Sequence, residues 1–157
     1  MPGFPKPRFT IAFTQDDYLI AYEWAAKKQF DSHHHDGVDT YGLKSFGANE
    51  AVVGGMGELV AHEWLGVPLD TNRVGEGMVY DIVYNGYGCY IKATIGKAWS
   101  FRKRDKRGLY ILTRRMRGLR WEVWDVVYFN PDDPGEGFEW QEPDDGRDSP
   151  YWRYARI

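Results

Sequence analysis

This chain of 157 residues contains a single cysteine, Cys89, so no disulfide can form within it. Such a chain suits a reducing compartment, and the cytoplasm is the expected location. A small buried apolar residue is the favoured reading of Cys89 over a nucleophile. No apolar run is long enough to cross a bilayer, and Met1-Pro2-Gly3-Phe4-Pro5 does not read as a signal peptide. Internal repeats and a dividing linker are also lacking. Neither sign of charge dominates, since the formal net charge is only −3. What is present is apolar: 43% hydrophobic and 17% aromatic residues, enough for a globular fold with a usable core. Residues 1–157 therefore read as one domain.

The small net charge conceals segregation. Between Lys92 and Arg120 lie Lys97, Arg102, Lys103, Arg104, Lys106, Arg107, Arg114, Arg115 and Arg117, against one acid, Asp105. From Glu122 onward the sign reverses through Asp125, Asp132, Asp133, Glu136, Glu139, Glu142, Asp144 and Asp145. The basic stretch could neutralise phosphates and supply sequence-independent affinity. It could equally be a solvated loop paired with the acidic segment. Trp99 and Phe101 within it favour nucleic acid, because an aromatic ring can stack on an exposed base.

Local signals set the elements. Residues 1–8, rich in proline, read as a loosely held arm. Thr14 is an N-cap, and Leu19, Tyr22, Ala26 and Phe30 form one apolar stripe along a helix over 15–31. His33-His34-His35-Asp36 sits in a polar loop; consecutive histidines cannot all face one ion, so a solvated loop is favoured over a metal site. Asn49 caps a second helix over about 50–65, with Val53, Met56, Val60 and Trp64 on its buried face. Gly54, Gly55 and Gly57 weaken that helix but permit close approach of another backbone or a ligand. Gly66-Val67-Pro68 ends it. Strands follow at 79–84, 87–94, 109–113 and 123–129. Residues 131–150 are acidic and turn-rich, and Tyr151-Trp152-Arg153-Tyr154 is aromatic enough to dock.

The hairpin at 79–94 carries the chemistry. Asn85-Gly86 is a strong turn signal, because a type I′ turn needs positive φ at both central residues. A two-residue turn pairs Tyr84 with Tyr87, and outward counting sets Asp81 opposite Tyr90. Alternation then puts Asp81, Val83, Tyr90 and Lys92 on one face. A carboxylate diagonal to an ammonium is ordinarily a surface ion pair worth at most about 1 kcal/mol.

The order of the elements adds meaning. Gly57-Glu58-Leu59-Val60-Ala61-His62-Glu63-Trp64-Leu65-Gly66, then Tyr80-Asp81-Ile82-Val83-Tyr84-Asn85-Gly86, then Tyr90-Ile91-Lys92, resembles phage-type members of the PD-(D/E)XK nuclease superfamily. The likeness covers roughly residues 47–130. It implies an α/β fold with a restriction-endonuclease-like core, a mixed central β-sheet flanked by helices. It implies a metal-dependent nuclease that hydrolyses DNA phosphodiester bonds, is phage-encoded and takes Mg²⁺ or Mn²⁺. Asp81 would then bind the metal, Glu58 would complete its site, and Lys92 would contact the scissile phosphate or the attacking water. Lys97, Trp99, Arg102, Lys103, Arg104, Lys106, Arg107, Arg114 and Arg115 would contact nucleic acid.

One position departs from the pattern. The family places Asp or Glu where this chain has Tyr90. A phenol is neutral at pH 7 and a poor ligand for Mg²⁺. Asp70, Glu76 or His62 could replace the missing ligand; otherwise the site binds nucleic acid without cutting it. A third reading is an interaction protein, such as a phage-encoded inhibitor, that presents the acidic stretch 132–148 to a protein partner. A homodimer stays open, and no membrane partner is expected.

Overall fold

A computed structural model describes residues 3–24, 46–69, 79–143 and 149–155. Strand β1 (Phe9–Ala12) leads into helix α1, described over 15–24. The Thr14 hydroxyl accepts the Asp17 N–H at 3.2 Å, and the Asp17 carboxylate accepts the Thr14 N–H at 2.9 Å. This reciprocal cap satisfies donors that the first turn leaves unpaired. The expected apolar stripe is not the buried one. Leu19 and Tyr22 are 55% and 45% exposed, while Ala21 and Trp24 are buried. Apolar residues occur on several faces of α1, so spacing alone could not fix which face packs. Ala26 and Phe30 lie outside the described residues.

Helix α2 (Phe46–Leu65) starts earlier than expected, so Asn49 lies inside it rather than capping it. Val52, Met56, Leu59, Val60, Ala61, Trp64 and Leu65 are all buried, a wider face than one stripe. The helix closes with a Schellman motif: Val67 N–H to His62 C=O at 3.1 Å and Gly66 N–H to Glu63 C=O at 3.3 Å, with Gly66 at φ 68°.

The strands are β2 (Ile82–Tyr84), β3 (Tyr87–Thr94), β4 (Trp99–Phe101), β5 (Gly108–Arg117), β6 (Arg120–Phe129), β7 (Phe138–Gln141) and β8 (Tyr151–Tyr154). The first of these is shorter than the expected 79–84, and β5 and β6 are longer than expected. The fold is mixed α/β. A curled five-stranded sheet has the order β1-β6-β5-β3-β2, antiparallel except for the parallel pair β3–β5. A three-stranded antiparallel sheet, β4-β8-β7, forms beside it. The aromatic run 151–154 thus docks as a strand. Strands β1, β4, β7 and β8 have three or four residues each, too few for a period to register in sequence.

Alternation on the central strands divides the core in two. Cys89, Ile111, Trp121 and Val123 point to the side of α1 and α2. Tyr110, Leu112, Trp124 and Phe129 point the other way, against Trp99, Phe101 and Tyr154 of the smaller sheet. Among the described residues one face of the large sheet carries the helices and the other carries strands. The second layer is held by rings, with Phe101–Phe129 centroids at 4.7 Å and Phe138–Tyr154 at 4.8 Å.

The N-terminal segment is docked rather than loose. The Phe4 ring lies 6.1 Å from Trp64 and 5.5 Å from Tyr84, and the Trp64 indole donates to the Lys6 carbonyl at 3.0 Å. No described helix is long and apolar enough to cross a membrane.

Gly57 brings α2 down onto the sheet. A Cβ there would lie 2.5 Å from Thr113 Oγ1 and 2.7 Å from the Ala93 Cβ, whereas nothing lies within 4 Å of one at Gly54. Gly57→Ala should therefore destabilise the protein by about 1–3 kcal/mol through overpacking. Gly54→Ala should stabilise it by about 0.5–1 kcal/mol through helix propensity. Urea unfolding of the two variants checks the opposite signs.

Candidate nucleic-acid site

The hairpin forms in the expected register: Tyr84 pairs with Tyr87, Val83 with Gly88 and Ile82 with Cys89. Asn85 and Gly86 take φ of 50° and 80°, as a type I′ turn requires. Gly88 is needed because the Tyr80 ring lies against its backbone, where a Cβ would collide. Asp81 sits just before β2. Its N–H donates to the Cys89 carbonyl at 3.0 Å, and its Oδ2 accepts the Ile91 N–H at 2.8 Å. The carboxylate thus continues the ladder beyond the last paired residues of β2.

Ile82 and Cys89 face the helix side, so Tyr90 and Lys92 face the smaller sheet. Lys92 Nζ lies 2.8 Å from Asp105 Oδ2, with the two side chains 23% and 22% exposed. The ammonium is also 5.0 Å from the Phe101 ring centroid and 5.9 Å from that of Tyr110. Asp105 is fixed in turn by a tight turn, in which its Oδ2 accepts the Arg102 N–H at 2.8 Å. The diagonal Asp81–Lys92 pairing expected from the hairpin is therefore replaced, for Lys92, by a partner from the β4–β5 loop. Sequence reading passed over Asp105; its only signal was being the lone acid in a basic stretch.

Tyr90 lies in a line of tyrosines, 5.3 Å from Tyr80 and 5.1 Å from Tyr110 by ring centroid. It faces away from α2 and does not pack beneath it. Burial, with Tyr80 and Asp81 nearby, raises the Tyr90 phenol above its ordinary range. Burial raises Tyr110 as well, helped by Asp105, Tyr90 and Asp81, and its hydroxyl donates to the Lys106 carbonyl at 2.7 Å. Both phenols stay neutral at physiological pH and offer no anionic oxygen to a cation.

Glu58 is brought elsewhere. It is 8% exposed on α2, and its carboxylate accepts the Trp24 indole N–H from α1. Glu58 thus belongs to the helix layer, while Tyr90 and Lys92 hang from the opposite face of the sheet. His62 Nδ1 lies 2.8 Å from the Val67 carbonyl. Only a donor can bond that oxygen, so this nitrogen carries its proton and serves the helix end. Asp70, Glu76 and the His33–His35 run lie outside the described residues. Among the described residues no three His, Cys, Asp or Glu side chains gather to hold an ion.

The basic residues divide. Trp99 is 2% exposed and donates to the Thr113 carbonyl at 2.9 Å, so it is core and not a platform for a base. Phe101 is likewise buried. Arg102 is half-buried; it donates to the Ser149 carbonyl and its guanidinium lies 4.9 Å from the Tyr151 ring. Lys103 lies 5.1 Å from the Trp140 ring. Lys97, Lys103, Arg104, Lys106, Arg107 and Arg115 are exposed. The 102–107 loop leads into the start of β5, whereas Arg114 and Arg115 lie near its end. For a strand of 10 residues these ends are about 30 Å apart. The block that is continuous in sequence is thus two clusters in space. Arg117, part of the basic stretch read from sequence, joins the second, as do Arg8 and Arg120, which sequence did not single out.

No protein-family model, curated protein or solved structure matches this chain.

Cys89 is fully buried, and burial pushes its thiol from 9.0 up to about 11. Between these values the folded state holds a proton that the unfolded state releases. Stability should therefore be level below pH 9 and fall as pH rises from 9 to 11. Denaturant titrations across that range, with Cys89→Ala as the variant that loses this part of the slope, check it.

Proposed function

We propose that the chain binds nucleic acid through its phosphate backbone, on a restriction-endonuclease-like scaffold whose cutting centre has been altered. One observation carries the reading: Lys97, Lys103, Arg104, Lys106, Arg107 and Arg115 all present their charges to solvent. Cations so placed neutralise phosphates and release counterions, which yields affinity without sequence preference. The altered centre follows from Tyr90 at the position of an acid, and from a Lys92 ammonium already neutralised by Asp105. DNA is the favoured ligand, from the resemblance to phage-type nucleases. Binding of labelled DNA at low salt should weaken steeply with added salt, by about one decade in affinity per decade of salt for each phosphate contacted. Absence of binding at low salt overturns the proposal.

A second reading is retained metal-dependent hydrolysis of DNA, on the nuclease plan. It is favoured by Asp81 and Lys92 belonging to one hairpin, with Asp105 as a further carboxylate beside Lys92. In this reading Mg²⁺ or Mn²⁺ would be held by Asp81 with a replacement carboxylate. Plasmid nicking with either cation, abolished by Asp81→Ala and by Lys92→Ala, is the expected result. Cleavage indifferent to both substitutions would remove it.

A further inference from the structure

The end of the large sheet remote from the 102–107 loop carries a concentration of arginine that the fold itself disfavours. Arg117 and Arg120 are direct cross-strand partners on either side of the Gly118-Leu119 turn, and both are exposed. Like charges directly opposed in a sheet destabilise it. Arg114 pairs with Glu122 on the same face of the same hairpin. Arg8 reaches that face from the segment before β1. Lys97 follows the end of β3, whose Thr94 pairs with Arg114, and so joins the same end.

Two of these arginines meet at one ring. The Arg8 guanidinium lies 3.1 Å from the Trp124 ring centroid and that of Arg114 lies 4.0 Å from it. One indole therefore gathers both guanidiniums. Arg8 holds this position at φ 72°, where a side chain is strained, and its Nε donates to the Trp124 carbonyl at 3.1 Å. Contact with one ring brings two guanidinium forks close together, an arrangement that suits paired hydrogen bonds to phosphate oxygens.

Within the cluster is one buried acid. Glu122 is 6% exposed, and its Oε1 has no hydrogen bond; Arg114 stands 3.6 Å away, beyond the range of a charge-assisted bond. Arg114 is therefore attracted by Glu122 without being locked to it.

We infer that Arg8, Arg114, Arg117 and Arg120 form a binding face for the phosphodiester backbone of nucleic acid, with Glu122 as the internal counter-ion that a bound phosphate displaces. The inference rests on the reading that nucleic acid is the ligand, and not on cleavage. It places the principal contacts at the β5–β6 turn and not in the 102–107 loop, where Arg102 and Lys103 are already engaged with Tyr151 and Trp140. Because the contacts are to backbone, single- and double-stranded DNA should both be held.

Fluorescence anisotropy with labelled single- and double-stranded DNA, across a salt series, tests this on the full chain. The Arg117→Ala/Arg120→Ala variant should bind about tenfold more weakly and lose about two units of salt slope on both ligands. It should fold, since it relieves the like-charge pair, and thermal melting verifies that. A second variant, Lys103→Ala/Arg104→Ala/Lys106→Ala/Arg107→Ala, should lose less. Glu122→Gln should tighten binding. The inference is overturned if the arginine variant binds like the parent with unchanged slope while the loop variant loses affinity, an outcome that leaves nucleic-acid binding itself intact. Weakened binding by a folded Glu122→Gln protein would overturn the counter-ion role. Failure of the parent chain to bind either DNA at low salt would instead remove the broader reading, and this inference with it.

Discussion

The parallel pairing of β3 with β5 is the constraint on which the rest depends. It runs from Cys89–Leu109 to Thr94–Arg114 and places both strands in the middle of the large sheet. Central strands are covered on both faces, so each residue on them is assigned to one core or the other. Gly57 allows α2 to descend onto Ala93 and Thr113 on one side. On the other, Tyr110 and Leu112 meet Trp99, Phe101 and Tyr154. Thr113 takes part in both layers: its hydroxyl meets α2 and its carbonyl accepts the Trp99 indole.

That assignment separates residues which a list of motifs would join. Lys92 occupies an alternate position to Cys89, so it belongs to the aromatic layer, where Asp105 neutralises it. Glu58 belongs to the helix layer, where Trp24 binds it. The line Tyr80–Tyr90–Tyr110 occupies the ground beside Asp81. A carboxylate at position 90 would instead have stood as an anion between two phenols, with Asp81 close by. The tyrosine supplies ring packing there, and the raised phenols are the electrostatic mark of that buried line.

The same geometry splits the basic stretch. β5 carries the chain from the 102–107 loop to the Arg114–Arg120 hairpin, so charges close in sequence end about 30 Å apart. At the first end cations lie over aromatic rings of β7 and β8; at the second they crowd one another around Trp124 and Glu122. Crowding of like charge raises the free energy of the unliganded protein, and a polyanion relieves it. A fold does not decide chemistry; the residues mounted on it do.

Much of this was legible locally. Asn85-Gly86 dictated the turn, and with it the register of Ile82 to Cys89, because a two-residue loop leaves no freedom in the count. Thr14 with Asp17, and Gly66 after Leu65, marked helix ends by hydrogen bonds that span only a few residues. The second helix, three long strands and the docking of 151–154 followed from apolar patterning. Other features depended on partners distant in sequence. Trp99 reads as a binding platform until a sheet formed with Tyr154 buries it. The buried face of α1, the choice of Asp105 by Lys92, and the meeting of Arg8 with Arg114 at Trp124 each join segments that no spacing rule connects. The amino-acid order alone determined which side chains alternate on each strand and where the hairpin turns, since backbone sterics act over two to four residues. Tertiary packing alone decided which acid meets which cation, because Coulomb attraction and burial act through space and ignore distance along the chain.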